Sequence, residues 1–517
     1  MIPDKRQTDS TVEGRLFGWF LERCFNGCDR LMMAASDLSS LWNSCFNSLA
    51  IGCAVLLITR PGQAAEPTPA VPQPVKVFIL SGQSNMVGAG KVTGGGRRWG
   101  AEFLDPVVSV YQGEYDPQAD YDARQPVKRQ RLESFGGVRP TPYPGGGAQV
   151  VRGFIAPQDT GVYEFRPGYG GSTHNIMEVA GEEVYRKLVG QEAVLSEIAL
   201  TAGKKVPFKI TYLTKQADGL GWIDRVDVPG ALATFVKQQR MFPFLINDQK
   251  QWVSRDDVWY KGVVAARASK WLSVGCGASG NTIGPELGFG HVVGDYLDEP
   301  VLILKASQGN RSLGWDFLPP GSKRYEFGDK IHAGYQDSPE AWKKGTEPKA
   351  INWYAGKQYD DCFRAAHEVL DNFDQQFPHW QGRGYKIVGF GWWQGDKDRY
   401  NAAHAAQYEK NLVHLITTLR REFAAPQAKF VCATLGQTAK ETAAGNEKQI
   451  LDAQLAVDGT TGKYPAFQGN VATVYTHPIN QGGASNSHYN GNARTYMDVG
   501  IAMGQAMVDL LKKSSPR

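Results

Sequence analysis

The run Val75-Lys76-Val77-Phe78-Ile79-Leu80 leads straight into Gly82-Gln83-Ser84-Asn85-Met86. Apolar and β-branched side chains dominate the first part, which reads as a buried strand, so the serine falls at its carboxyl end. That is where open α/β sheets bind ligands. A serine hydroxyl is a poor nucleophile until a base removes its proton, so Ser84 needs a histidine and oxyanion donors from elsewhere in the chain.

Downstream of Met86 the pattern changes. From about Thr93 to Pro229, short β-type runs at 161–165, 175–179, 183–186, 196–200 and 208–213 alternate with turn residues, which predicts a β-sandwich insert. Strand signals at 301–304, 385–393, 430–435 and 471–475 then alternate with helical stripes. One such stripe holds Tyr359, Cys362, Phe363, Ala366, Leu370, Phe373 and Phe377, another Tyr408, Leu412, Leu415, Leu419 and Phe423. This order predicts a parallel, helix-covered sheet closed by a final helix through Tyr496, Met503 and Leu510.

The 517 residues are 42% hydrophobic and 21% charged, ordinary for a soluble enzyme of several domains. A net charge of +4 is mild, and the basic run Lys128-Arg129-Gln130-Arg131 is soon followed by Glu133, which argues against a nucleic-acid partner. An apolar run from Leu49 to Ile58, followed by Gly62-Gln63-Ala64-Ala65, reads as a secretory signal with a small-residue cleavage site. It falls short of the roughly 20 apolar residues that span a bilayer, so no stable membrane span is expected. The long lead before it, with Cys24 and Cys28, points to a start at Met32 or Met33. Cleavage near Ala65 leaves Cys276, Cys362 and Cys432, an odd set that is no disulfide scaffold. No zinc-spaced cluster occurs, and Asp116, Asp120 and Asp122 lack the glycine and glutamate of a calcium loop, so neither metal nor cofactor is expected.

Gly82-Gln83-Ser84-Asn85-Met86 lacks the second glycine of a G-x-S-x-G elbow. It resembles instead the first block of the SGNH-type hydrolases, in the branch of sialate O-acetylesterases and acetylxylan esterases. The stretch 283–290 leading to Lys305-Ala306-Ser307-Gln308-Gly309-Asn310 resembles that branch's second block, and Trp392-Trp393-Gln394-Gly395-Asp396-Lys397-Asp398 its third. Ser485-Asn486-Ser487-His488-Tyr489 resembles its last. The resemblance implies a flavodoxin-like three-layer α/β/α fold in which Ser84 is the nucleophile and His488 the general base. The Ser84 and Gly309 amides with the Gln394 side chain would form the oxyanion hole, where one donor is typically worth ~10²- to 10³-fold in rate.

One position departs from the pattern. The family usually has an aspartate three residues before the histidine, and this chain has Ser485. Removing the acidic member of a serine hydrolase costs on the order of 10⁴-fold. Asp396 and Asp398 are the nearby substitutes, and Asp398 is taken as the third member, its alternative role being to bond the nucleophile loop. Within the insert, 152–165 and 181–203 resemble an anthrax protective-antigen-type β-sandwich, which implies either a carbohydrate-binding module or a cover over the site. Trp222, Tyr163 and Tyr169 are its candidate sugar-stacking rings, with sandwich core as their alternative.

The expected organisation is a signal and over-long start over 1–65, esterase over 66–92, sandwich over 93–229 and esterase again over 230–517. The expected function is a secreted or periplasmic serine esterase that removes O-acetyl groups from a glycan. The alternatives are a silent glycan-binding protein and an esterase of non-carbohydrate esters.

Overall fold

A computed structural model describes residues 73–95, 97–98, 102–112, 119–132, 147–167, 174–188, 190–213 and 222–513. The apolar run at 49–58, the four cysteines before it or within it, Asp116 and Tyr169 lie outside these residues. Everything below concerns the compact unit Val71–Arg517.

Seven strands form the principal sheet: β1 (Val75–Gly82), β2 (Val258–Gly262), β3 (Ser269–Trp271), β4 (Val301–Ser307), β5 (Tyr385–Trp393), β6 (Lys429–Ala433) and β7 (Val471–Val474). Their order is β3-β2-β4-β1-β5-β6-β7, and only the edge strand β3 is antiparallel to its neighbour. β1 therefore sits in the middle, with Gly82 opposite Ser307 of β4 and Trp393 of β5. Strands buried on both faces read as continuous apolar runs, as β1 and β4 do.

The helices that matter here are the single turn α1 (Ser84–Val87), α2 (Pro285–Tyr296), α3 (Lys357–Asp371), α4 (Ala402–Glu422), α5 (Gly445–Ala456) and α6 (Ala493–Lys512). Side chains alternate across β1: Val75, Val77 and Ile79 join one core with Phe363 of α3, Leu412 of α4 and Ile450 of α5. Phe78 and Leu80 join another with Phe289 of α2 and Met503 of α6. The stripe expected to run through Phe377 is interrupted: α3 ends at Asp371, Asn372 leaves helical geometry, and Phe373–Gln376 is a separate turn.

The described residues between 97 and 225 build two antiparallel sheets of seven and four strands. They share a core that includes Phe103, Val151, Tyr163, Phe165, Met177 and Phe208. Tyr163 is thus a core residue, and its hydroxyl donates to Asp159 O at 2.6 Å. Of the three aspartates compared with a calcium loop, Asp122 instead pairs with Lys209 at 3.3 Å and with Arg152. All three cysteines of this unit are free and buried, and burial raises their thiols, Cys276 to about 11 and Cys362 to about 12.

Candidate active site

The site is built on close backbone approaches. Gly82 closes β1 at φ +144°, and a Cβ there would lie 2.3 Å from Trp393 O, so only glycine fits. The Gln83 amide donates to that same oxygen at 3.2 Å. The buried Gln83 side chain accepts from the amides of Gly395 at 3.1 Å and Lys397 at 3.3 Å. Two loops distant in sequence are thereby stitched together.

Ser84 opens α1 and is half-buried. As the first residue of a helical turn its amide has no intrahelical acceptor. A Cβ added to Gly309 would stand 3.6 Å from the Ser84 Cβ, so the structure brings these two residues side by side. The loop between them is fixed by Gln308, whose amide donates to Gly82 O at 3.2 Å. Beneath α1, the fully buried Lys305 of β4 donates to Val87 O at 2.8 Å and to Glu286 of α2 at 2.7 Å. Glu286 also accepts the Gly284 amide at 2.8 Å. A buried cation so paired and bonded has its desolvation offset.

Gln394 is fully buried and fully bonded. Its Nε2 donates to Asp398 Oδ2 at 2.5 Å and to Arg311 O at 3.0 Å, while its Oε1 accepts from Tyr408 at 2.9 Å. Asp398, the expected third member, bonds elsewhere in this structure. Its carboxylate accepts the amides of Leu313 at 2.9 Å and Gly314 at 2.8 Å as well as Gln394, and makes no hydrogen bond to His488. Burial raises the Asp398 carboxyl, opposed by the charge of His404 and by these donors. It braces the Gly309–Gly314 loop and Gln394, and no hydrogen bond joins it to the nucleophile loop weighed above as its alternative.

His488 lies in the short helical segment Ser485–Gly491, where His488, Tyr489 and Asn490 have φ values of 52°, 51° and 55°. Three successive left-handed non-glycine residues are strained and need external support. Tyr489 supplies it: the ring is buried, stacks on Trp393 with centroids 5.6 Å apart, and its hydroxyl accepts the Gly436 amide at 3.1 Å. Tyr496 Oη lies 3.3 Å from His488 O and 3.5 Å from Asn85 Oδ1, bridging the segments that carry His488 and Ser84. Those two segments are in contact. A second histidine in this region, His477, is engaged with Gly436 O at 2.9 Å through Nδ1.

Ser485 is fully buried, and its Oγ donates to Asp396. Among the described residues, no group of three or more histidine, cysteine, aspartate and glutamate side chains is placed to hold a metal ion. Tyr496 reads from sequence only as part of the last helix's apolar stripe, and neither Gln83 nor the Lys305–Glu286 pair stands out there. Gln83 and Glu286 lie inside the first two blocks, where local pattern does not mark a buried side chain that ties loops together.

A family model described as carbohydrate esterase, sialic acid-specific acetylesterase, matches residues 244–509, which is more than half of the chain. The chain belongs to this family. It therefore carries a carbohydrate esterase domain; the matched residues supply six of the seven strands of the principal sheet, and the antiparallel sheets of seven and four strands lie outside the match. No curated protein matches it. Among solved structures, a carbohydrate acetylesterase from Xanthomonas citri is 13% identical, with 69% of this chain and 70% of that one covered and a TM-score of 0.32. A protein from Arabidopsis thaliana is 14% identical over 50% of this chain and 87% of its own, with a TM-score of 0.30. A family two carbohydrate esterase from Cellvibrio japonicus is 9% identical over 81% of this chain and 99% of its own, with a TM-score of 0.23. Family membership rests on the family model alone.

Proposed function

We propose that the protein is a serine O-acetylesterase acting on an acetylated glycan, in an SGNH-type three-layer domain. The observation that carries this is the placement of Ser84 beside Gly309 at the carboxyl end of the central strand, with the His488 segment packed against the Ser84 turn. Ser84 Oγ attacks the acetyl carbonyl while His488 takes its proton. The amides of Ser84 and Gly309 receive the oxyanion. Gln394 joins them when a substrate oxygen displaces Arg311 O from its Nε2. Collapse expels the sugar hydroxyl, protonated by His488, and leaves acetyl-Ser84. Water, deprotonated by His488, then releases acetate. The apolar run with its small-residue site supports export, and the antiparallel insert is a candidate glycan-binding module.

Hydrolysis of p-nitrophenyl acetate and of acetylated glycans by the native protein and by Ser84→Ala tests the reading. The expected loss is on the order of 10⁴- to 10⁶-fold in kcat. Equal, background-level rates would sink it. Ser485 favours one second reading, a glycan-binding protein whose chemistry has faded, which predicts glycan binding without turnover.

A further inference from the structure

Asp396 lies buried in the loop after β5, and both of its hydrogen bonds use the same oxygen. Ser485 Oγ donates to Oδ1, as does Arg399 Nε at 2.8 Å, while Oδ2 has no hydrogen-bond partner among the described residues. Ser485 is the residue three positions before His488, where a hydroxyl stands in place of a charge. The hydroxyl is thus spent on holding a carboxylate.

Arg399 does not neutralise this carboxylate alone. Its Nη1 also donates to Glu447 at 2.8 Å and its Nη2 to the Tyr400 hydroxyl at 2.6 Å. One guanidinium against two carboxylates leaves the group with a net negative charge. The His488 imidazole has no hydrogen-bond partner among the described residues, although its backbone is pinned through Tyr489 and Tyr496. Another charge near this segment is Lys91, whose stem lies against Gly491. On α6, Arg494 and Asp498 pair with each other at 3.2 Å. Burial raises the Tyr489 and Tyr496 hydroxyls, which keeps them neutral.

Resting on the serine-hydrolase reading, we infer that Asp396 is the positioning carboxylate for His488, acting through Ser485 to stabilise the imidazolium formed when Ser84 yields its proton. The acid has moved from the base's own segment to the third sequence block. A charge near an imidazolium in a partly dry site favours the charged form. Its removal should slow the chemistry without weakening substrate binding.

The test measures kcat, KM and the pH profile of p-nitrophenyl acetate hydrolysis for the native protein, Ser84→Ala, Asp396→Asn, and Asp396→Asn combined with Ser485→Asp. Asp396→Asn is expected to lower kcat by about 10- to 100-fold with KM little changed, and to move the acidic limb to lower pH. Adding Ser485→Asp is expected to recover at least about tenfold of that loss, because the charge returns to the histidine's own segment. An unchanged rate and limb would overturn the inference, as would a loss with no limb shift and no recovery. If Asp396→Asn does not fold, Ser485→Ala keeps the Asp396–Arg399 pair and must itself lower kcat and shift the limb; no change would count against the inference. A native rate no higher than that of Ser84→Ala would overturn the hydrolase reading, and this inference with it.

Discussion

Asp396 and Asp398 stand two residues apart in one loop, yet their carboxylates serve different partners. Asp398 collects two amides and the Gln394 side chain, all neutral donors to a fully buried acceptor. Asp398→Asn would present an NH₂ or one fewer acceptor to these donors, and an unmet buried donor costs about 1–3 kcal/mol. Thermal unfolding should show that loss, together with a reduced kcat from a loosened Gly309 loop. An unchanged melting temperature would argue against the brace. The serine at the end of the first apolar run and the histidine before the last helix could be picked out from local pattern alone. Which aspartate faces which neighbour could not, because it depends on how the turn after Trp393 winds and on what packs above it.

Among elements, the contact between α2 and α6 accounts for glycines in both helices. A Cβ on Gly288 would lie 2.6 Å from Met497 O, and one on Gly500 would lie 2.2 Å from Pro285 O. Backbones this close require glycine, and glycine is what weakens a helical signal in sequence. Gly288→Ala and Gly500→Ala should each destabilise the protein by several kcal/mol through overpacking, read as a lower denaturation midpoint. Strands β2 and β3 were missed for another reason: they are short, and alternating Val258, Tyr260 and Gly262 with half-buried residues gives little contrast. β4 carries the more instructive pair. Lys305→Met alone leaves Glu286 buried and uncompensated, at a cost of about 3–5 kcal/mol. Combining Lys305→Met with Glu286→Leu should recover much of that stability while kcat stays low, since nothing then holds Val87 O. Recovery of both would show that the pair matters for folding only.

At the scale of the whole molecule, charge pairs set the pH range of stability. The bond from His404 holds the Glu340 carboxyl below its ordinary 4.5; burial alone would pull the His404 imidazole down, but Glu340 and Asp398 raise it above 6.5. A lowered carboxylate contributes stability that disappears as pH falls through its folded value, and a raised imidazole contributes stability that disappears as pH rises through its own. The advantage of the native protein over Glu340→Gln should therefore peak between about pH 4.5 and 6.5 and shrink on the alkaline side. Melting curves across that range check it, and a gap independent of pH would count against the pair. The alternation of strands and helices after residue 300 was plain in the sequence, as were the short β runs of the insert. The pairing of β1 was not, because both of its partners are remote.

That remoteness bears on how the chain is made. Ser81 bonds to Ala306, 225 residues later, and the other flank of β1 waits for β5. At roughly 5–20 residues per second, a ribosome needs about 10–45 s to deliver the first partner. During that interval the described strands of the antiparallel insert are complete, whereas the apolar central strand of the sheet has none of its neighbours. The nascent chain thus exposes an unpaired sticky segment ahead of a foldable module, and a holdase that shields β1 should raise the yield of native protein more than one acting on the later strands.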